Sequence, residues 1–251
     1  MPASPPHDLA ELAARYHDVR QKTVELAAPL SAEDALVQSM PDASPTKWHL
    51  AHTTWFFETF VLKSFASQYT PFDSRFAYLF NSYYEAVGPR QPRPSRGMLS
   101  RPSLDEVRAY RAAVDEHVGV LFRSVSGPNL RDFVSVITLG LHHEQQHQEL
   151  ILTDAQHVLW SNPLRPRYAG ARRSPARGGC ERRWHAYGEG LVEVGYEGAQ
   201  FCFDNELPRH RVFVESFELA SRLVNNGEYL AFIQAGGYSR PELWLSDGWN
   251  A

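Results

Sequence analysis

The stretch LHHEQQHQEL, residues 141–150, places His143 and His147 four positions apart. It lies within NLRDFVSVITLGLHHEQQHQELILTDAQHVLW, whose apolar period predicts one long helix. Spacing of four sets both imidazoles on the same helical face, and neutral imidazoles are donors for a transition metal. A pair supplies only two ligands, so a third must come from another helix. The best source is WHLAHTTWFFE, where His49 and His52 lie three apart on an apolar segment, and spacing does not choose between them. The plainer alternative is a histidine-rich polar core whose ring nitrogens find ordinary hydrogen-bond partners. HEQQH also spells the H-E-x-x-H of zinc proteases. That reading is disfavoured because QELILTDAQH follows His147 and the extended H-x-x-G-x-x-H pattern is missing. Five further histidines, His7, His17, His117, His185 and His210, read as isolated surface or core residues.

The elements that must position these side chains follow from period and punctuation. HDLAELAARYHDVRQKTVELAAPL carries Leu9, Leu12, Ala13, Tyr16 and Val19 on one stripe and predicts an amphipathic helix. A short helix is expected over 31–38. SPTKWHLAHTTWFFETFVLKSFA then opens with Ser44 as an expected N-cap and Pro45 at the first helical position, and its apolar character predicts a central helix. Residues 80–102 are too rich in Pro, Gly and Arg for regular structure and read as a long functional loop. Ser103 and Glu106 form a capping box that starts a helix running to about Phe122, and SGPN separates it from the histidine helix. Long antiparallel helices with short joints make a bundle over 1–160. Residues 161–187 read as a linker. From 188 to 251 the runs LVEVGYEG, AQFCFDNE and HRVFVESFELAS look like strands, and NGEYLAFIQAGG like a helix closed by glycine. The fold class is therefore multidomain, α followed by a small α+β unit. That unit stops at Trp244 and Trp249 with apolar surface uncovered, so the chain is expected to be a piece of something longer.

Composition limits the functional classes. With 251 residues, 43% hydrophobic and 22% charged, the chain can bury a core. A net charge of −4 without a like-charge block gives no reason to expect nucleic acid or an anionic membrane surface. No apolar run reaches membrane-spanning length, and MPASPPHDLAEL lacks the parts of a signal peptide, so a cytoplasmic protein is expected. Cys180 and Cys202 are far apart and suit neither a disulfide framework nor a thiolate metal site.

Four separated stretches, PTKWHLAHTTWFFETFVL, LFNSYYEAVGPRQPRPSRGMLSRPS, LGLHHEQQHQELILTD and NNGEYLAFIQAGGY, together resemble the sulfoxide synthases of ergothioneine biosynthesis. The resemblance runs in order along nearly the whole chain. It implies an N-terminal DinB-like four-helix bundle followed by the first part of a formylglycine-generating-enzyme-like (C-type-lectin-like) domain. It implies an Fe(II) site made by His52, His143 and His147, leaving His49 as a neighbour. The implied reaction is oxygen-dependent joining of a cysteine-type thiol to C2 of the imidazole of trimethylhistidine (hercynine), with oxidation of the sulfur to a sulfoxide. Tyr83 and Tyr84 match a tyrosine pair from which one phenol supplies a proton. Arg93 and Arg96, with Arg90 and Arg101 as competitors, would bind a substrate carboxylate. Gln146 would contact the substrate imidazole. A selenosugar, or histidine in place of trimethylhistidine, as in selenoneine and ovothiol formation, is the runner-up. A DinB-type metal-dependent thiol transferase and a non-enzymatic metal-binding fragment are the readings outside the family. If the chain is complete at 251 residues, low activity is expected because segments that hold trimethylhistidine would be missing.

Overall fold

A computed structural model describes residues 9–82, 84–170 and 180–250, with the backbone alone at Glu85. The chain divides into two compact units, Met1–Arg172 and Arg173–Ala251.

The first unit is built on four helices. Helix α1, Leu9–Ala27, buries Leu12, Tyr16 and Val19 of its predicted stripe, together with Arg20, Thr23 and Ala27. Helix α2, Thr46–Phe56, continues through a π-helical stretch, Phe57–Leu62, and ends in a last turn, Lys63–Phe65. Every residue of Thr46–Phe56 is buried. Its polar groups are satisfied locally: the Thr54 hydroxyl donates back to the Leu50 carbonyl, and the Lys47 ammonium donates to the carbonyls of Leu99 and Pro102. Helix α3, Leu104–Ser124, starts with the expected capping box of Ser103 and Glu106. Helix α4, Leu130–Ser161, carries the histidine pair.

Two expectations need correction at the entry to α2. Ser44 does not cap it; Pro45 occupies the cap position, and the Ser44 hydroxyl accepts from Arg96 instead. Residues 31–38 form only a single 3-10 turn, Asp34–Leu36, because so short a segment cannot repay helix nucleation.

Helices α2 and α4 run antiparallel, as successive contacts show: Ser44 with Asp154, His49 with His147, and His52 with His143. The next step of this ladder brings Gly140 against Phe56 and Phe57, where a Cβ would lie 2.8 and 2.5 Å from the ring atoms. Only glycine permits that approach without displacement.

The second unit holds two antiparallel two-stranded ladders. Strand β1, Trp184–Tyr187, pairs with β4, Phe217–Ala220, and β2, Gly190–Val194, pairs with β3, His210–Val214. Strand β1 lies inside the stretch read as linker, whereas AQFCFDNE forms no strand and ends in a 3-10 turn, Asp204–Glu206. Helix α5, Asn226–Gln234, is closed by Gly236 in the left-handed region at φ 75°. Among the described residues of this unit only Gly237 is buried, and Leu191, Phe213, Leu219 and Leu223 stand open to solvent. Among the described residues of the whole chain, no helix is long and apolar enough to cross a membrane.

Candidate metal centre

The antiparallel register of α2 and α4 brings His52 opposite the pair on α4. One ring nitrogen from each of His52, His143 and His147 lies within 4.8 Å of one from each of the others. The Nε2 atoms of His52 and His143 are 3.2 Å apart. His52 and His147 are buried, with 1% and 8% exposure, and His143 is partly buried. The His52 ring is sandwiched between Trp48, at 4.5 Å and 13°, and Trp55, at 5.5 Å and 15°.

The proton positions suit a cation. His52 Nδ1 donates to the Phe80 carbonyl at 2.6 Å, which leaves its Nε2 lone pair toward the cluster. His147 Nδ1 faces His49 Nδ1 at 2.8 Å, and His49 Nε2 lies 3.0 Å from the Asp154 carboxylate. His143 Nδ1 is buried and has no hydrogen-bond partner among the described residues. Burial first, then the neighbouring His143, pushes the His52 pKa well below its usual value. Burial followed by the charges of His52 and His49 does the same at His147, and burial lowers His143 to about 4. His49 is also lowered, chiefly by burial. The Asp154 carboxyl, which burial alone would raise, is held below its usual value by hydrogen bonds from His49 and Ser44. The cluster is thus three neutral imidazoles with converging ring nitrogens, a donor set that fits iron, zinc, copper or nickel. Among the described residues no carboxylate joins it.

Glu144, the acid of the H-E-x-x-H pattern, points elsewhere. One residue further along a helix is about 100° round the axis, and this turn carries Glu144 between two arginines. It accepts from Arg20 Nη1 and from Arg111 Nη2, both at 2.9 Å, and is fully buried. Burial pushes this carboxyl up, but Arg20 and Arg111 outweigh it and bring the pKa down to about 2. Arg20 also reaches Asp115 on α3 and Thr54 on α2, so this ionic core ties all four helices together. A glutamate held in this way is not available as the base of a zinc protease.

The loop over 80–102 packs against the same end of the bundle. Asn81 is buried and its amide donates to the carbonyls of Tyr84 and Gly88, while Gln38 bridges Ala43, Arg93 and Gly97. Arg96 is buried with its guanidinium 3.4 Å from the Trp48 ring and donates to the hydroxyls of Ser44 and Ser82. Arg96, Trp48 and His52 therefore form a layered stack that ends at the cluster. Arg93 donates to the Asp42 carbonyl, and Arg90 to the Ser82 carbonyl. Tyr84 is half-buried against Trp55, Phe56 and Phe60, and Phe56 in turn touches the His143 ring. Burial raises the Tyr84 phenol pKa. Gln146 is exposed on α4, next to His147 in sequence. Tyr83 lies outside the described residues. A separate surface groove of about 440 Å³, lined by Phe76, Tyr78 and Arg101 among others, contains no histidine, and its Arg75 is paired with Asp73.

Sequence reasoning missed the Asp154 and His49 contacts and the Arg20, Arg111, Glu144, Asp115 network. Their partners lie far apart in the chain, and charged residues at buried helical positions were the only available signal.

Residues 15–151 match the model of the DinB superfamily. The chain belongs to this superfamily. DinB-superfamily membership accounts for the helical unit, and similarity to named proteins extends beyond it. A hercynine oxygenase of Mycolicibacterium thermoresistibile is 28% identical over 244 residues, 96% of this chain and 52% of the relative. Hercynine oxygenases of Mycobacterium tuberculosis and Mycolicibacterium smegmatis are each 28% identical, over 96% and 92% of the chain. The chain spans about half the length of these curated relatives.

Proposed function

We propose that this chain is the metal-binding part of an iron(II)- and oxygen-dependent enzyme that acts on hercynine, joining a cysteine-type thiol to imidazole C2 and leaving the sulfur as a sulfoxide. The observation that carries the reading is the convergence of three neutral imidazoles, from His52, His143 and His147, in a cluster that no carboxylate joins among the described residues. The similarity to hercynine oxygenases supports the substrate, and its reach into the second unit favours this reading over a DinB-type thiol transferase, which needs the bundle alone. In this reading the second unit, with its uncovered ladders, is the first part of a formylglycine-generating-enzyme-like domain.

A ferrous ion bound by three neutral imidazoles would keep its full charge and open positions, supplying a docking point for an anionic thiolate and the redox capacity for oxygen chemistry. The chain's own residues do the rest. Trp48 and Trp55 clamp the His52 ring and exclude water from it. Tyr84, kept protonated by burial, holds a proton near the histidine cluster, with Tyr83 as its competitor for that role. Arg93 and Arg96 belong to the loop that would receive a substrate carboxylate, for which a guanidinium's paired N–H groups are suited. Gln146 would orient the hercynine imidazole.

The test is to load the purified chain anaerobically with Fe(II), add hercynine and cysteine, admit oxygen, and search for the coupled sulfoxide by mass spectrometry. The coupled product is the expected result. Iron uptake that survives replacement of His143 or His147 would overturn the assignment of the site. Thiol oxidation without coupling would instead restrict the chain to a general thiol oxygenase.

A further inference from the structure

The geometry points to Asp154 and His49 as a positioning pair that fixes which nitrogen of His147 faces the three-histidine cluster. A carboxylate only accepts, and the Asp154 Oδ2 atom receives the Ser44 amide at 2.8 Å and His49 Nε2 at 3.0 Å. The His49 proton therefore resides on Nε2. A neutral imidazole has a single N–H, so His49 Nδ1 is an acceptor. It meets His147 Nδ1 at 2.8 Å, which makes His147 Nδ1 the donor and leaves Nε2 as its lone pair. The arrangement extends the familiar carboxylate–histidine–metal relay by one imidazole.

The three cluster histidines are thereby unequal. His147 is set by a carboxylate acting through a second ring, and His52 by the Phe80 carbonyl at 2.6 Å. Among the described residues the Nδ1 atom of His143 has no hydrogen-bond partner, and its Nε2, 3.2 Å from the His52 Nε2 lone pair, is the donor of that contact, so without metal the His143 tautomer is set inside the cluster and not by an outer partner. His49 thus has a role distinct from ligation, although it lies three residues from His52 on the same helix.

The experiment uses the 251-residue chain, labelled with ¹⁵N. Long-range ¹H–¹⁵N correlations on the metal-free protein report the tautomer of each imidazole, and zinc titration reports affinity. His147 is expected in the Nδ1–H form in the unsubstituted protein. His49→Phe should lose that preference and weaken zinc binding about 10- to 100-fold, the usual effect of removing an outer partner of a metal ligand. His49→Gln, whose side-chain carbonyl can accept the same proton, should recover most of the affinity. Thermal unfolding of the metal-free variants separates this from structural damage, since a packing role would move stability and zinc affinity alike in both. If His49→Phe does not fold, Asp154→Asn replaces it, with a smaller loss expected. Finding His147 protonated at Nε2 in the unsubstituted chain, or equal zinc affinity in His49→Phe, overturns the assignment. Only the zinc readout rests on the metal reading above: a chain that takes up no zinc would defeat that reading, while the tautomer spectrum would still decide the relay.

Discussion

Replacing Glu144 by Gln should cost about 3 kcal/mol of stability near neutral pH. The side chain keeps its shape, so packing stays nearly constant, but it loses its charge and turns one acceptor oxygen into an amide donor facing an arginine. Removing one partner from a buried ion pair costs about 3–5 kcal/mol, because the remaining charge is left uncompensated. Independently, the fall of the Glu144 pKa from 4.5 to about 2 corresponds, at about 1.4 kcal/mol per pH unit, to roughly 3 kcal/mol. No discount for solvent applies, since Glu144 and both arginines are buried. The sign is set by the direction of the change. The folded-state value lies below the unfolded one, so the stabilisation is complete above about pH 4.5 and drains away as pH falls toward 2. Urea unfolding of both proteins, followed by helical circular dichroism at neutral pH and at two acidic values, measures the difference. It should be largest at neutral pH and shrink on acidification. A loss within about 0.5 kcal/mol at neutral pH, the range of ordinary surface changes, or a loss constant with pH, would refute the ionic core as the bundle's tie.

Gly140→Ala should destabilise the bundle, because a methyl 2.5 Å from the Phe57 ring costs about 1–3 kcal/mol of overpacking and outweighs a helix-propensity gain of about 1 kcal/mol; denaturation midpoints check this. His143→Ala should abolish iron uptake, whereas His142→Ala, whose ring faces Arg15, should retain it, as measured by metal content per chain. Tyr84→Phe should preserve folding, because the ring contacts with Trp55 and Phe60 remain, but shift products from coupled sulfoxide toward simple thiol oxidation, read by mass spectrometry.

The bundle was legible because its signals are local. The stripe of α1, the apolar run of α2 and the capping box at Ser103 each depend on residues a few positions apart. The histidine pair on α4 was legible for the same reason. What the sequence could not show were choices made across the chain. Spacing left His49 and His52 equivalent, and only the register of α2 against α4 sends His52 to the cluster and His49 to Asp154. Glu144 looked like part of a zinc-protease pattern, yet its partners Arg20 and Arg111 lie 124 and 33 residues away. In the second unit β1 was hidden because Trp184–Tyr187 follows an arginine-rich run and has no alternation to distinguish it.

The contact at Gly140 reaches beyond packing. It lies three residues before His143, and the Phe56 ring that closes on it also touches the His143 ring. The gap between α2 and α4 at the cluster is therefore gauged by backbone resting on aromatic rings, a contact in which the α4 side has no side chain to adjust. His52 and His143 stand at the jaws of that calliper. The bite offered to an ion is set outside the ligands themselves, and any attempt to retune ion size by exchanging the histidines would leave the gauge untouched.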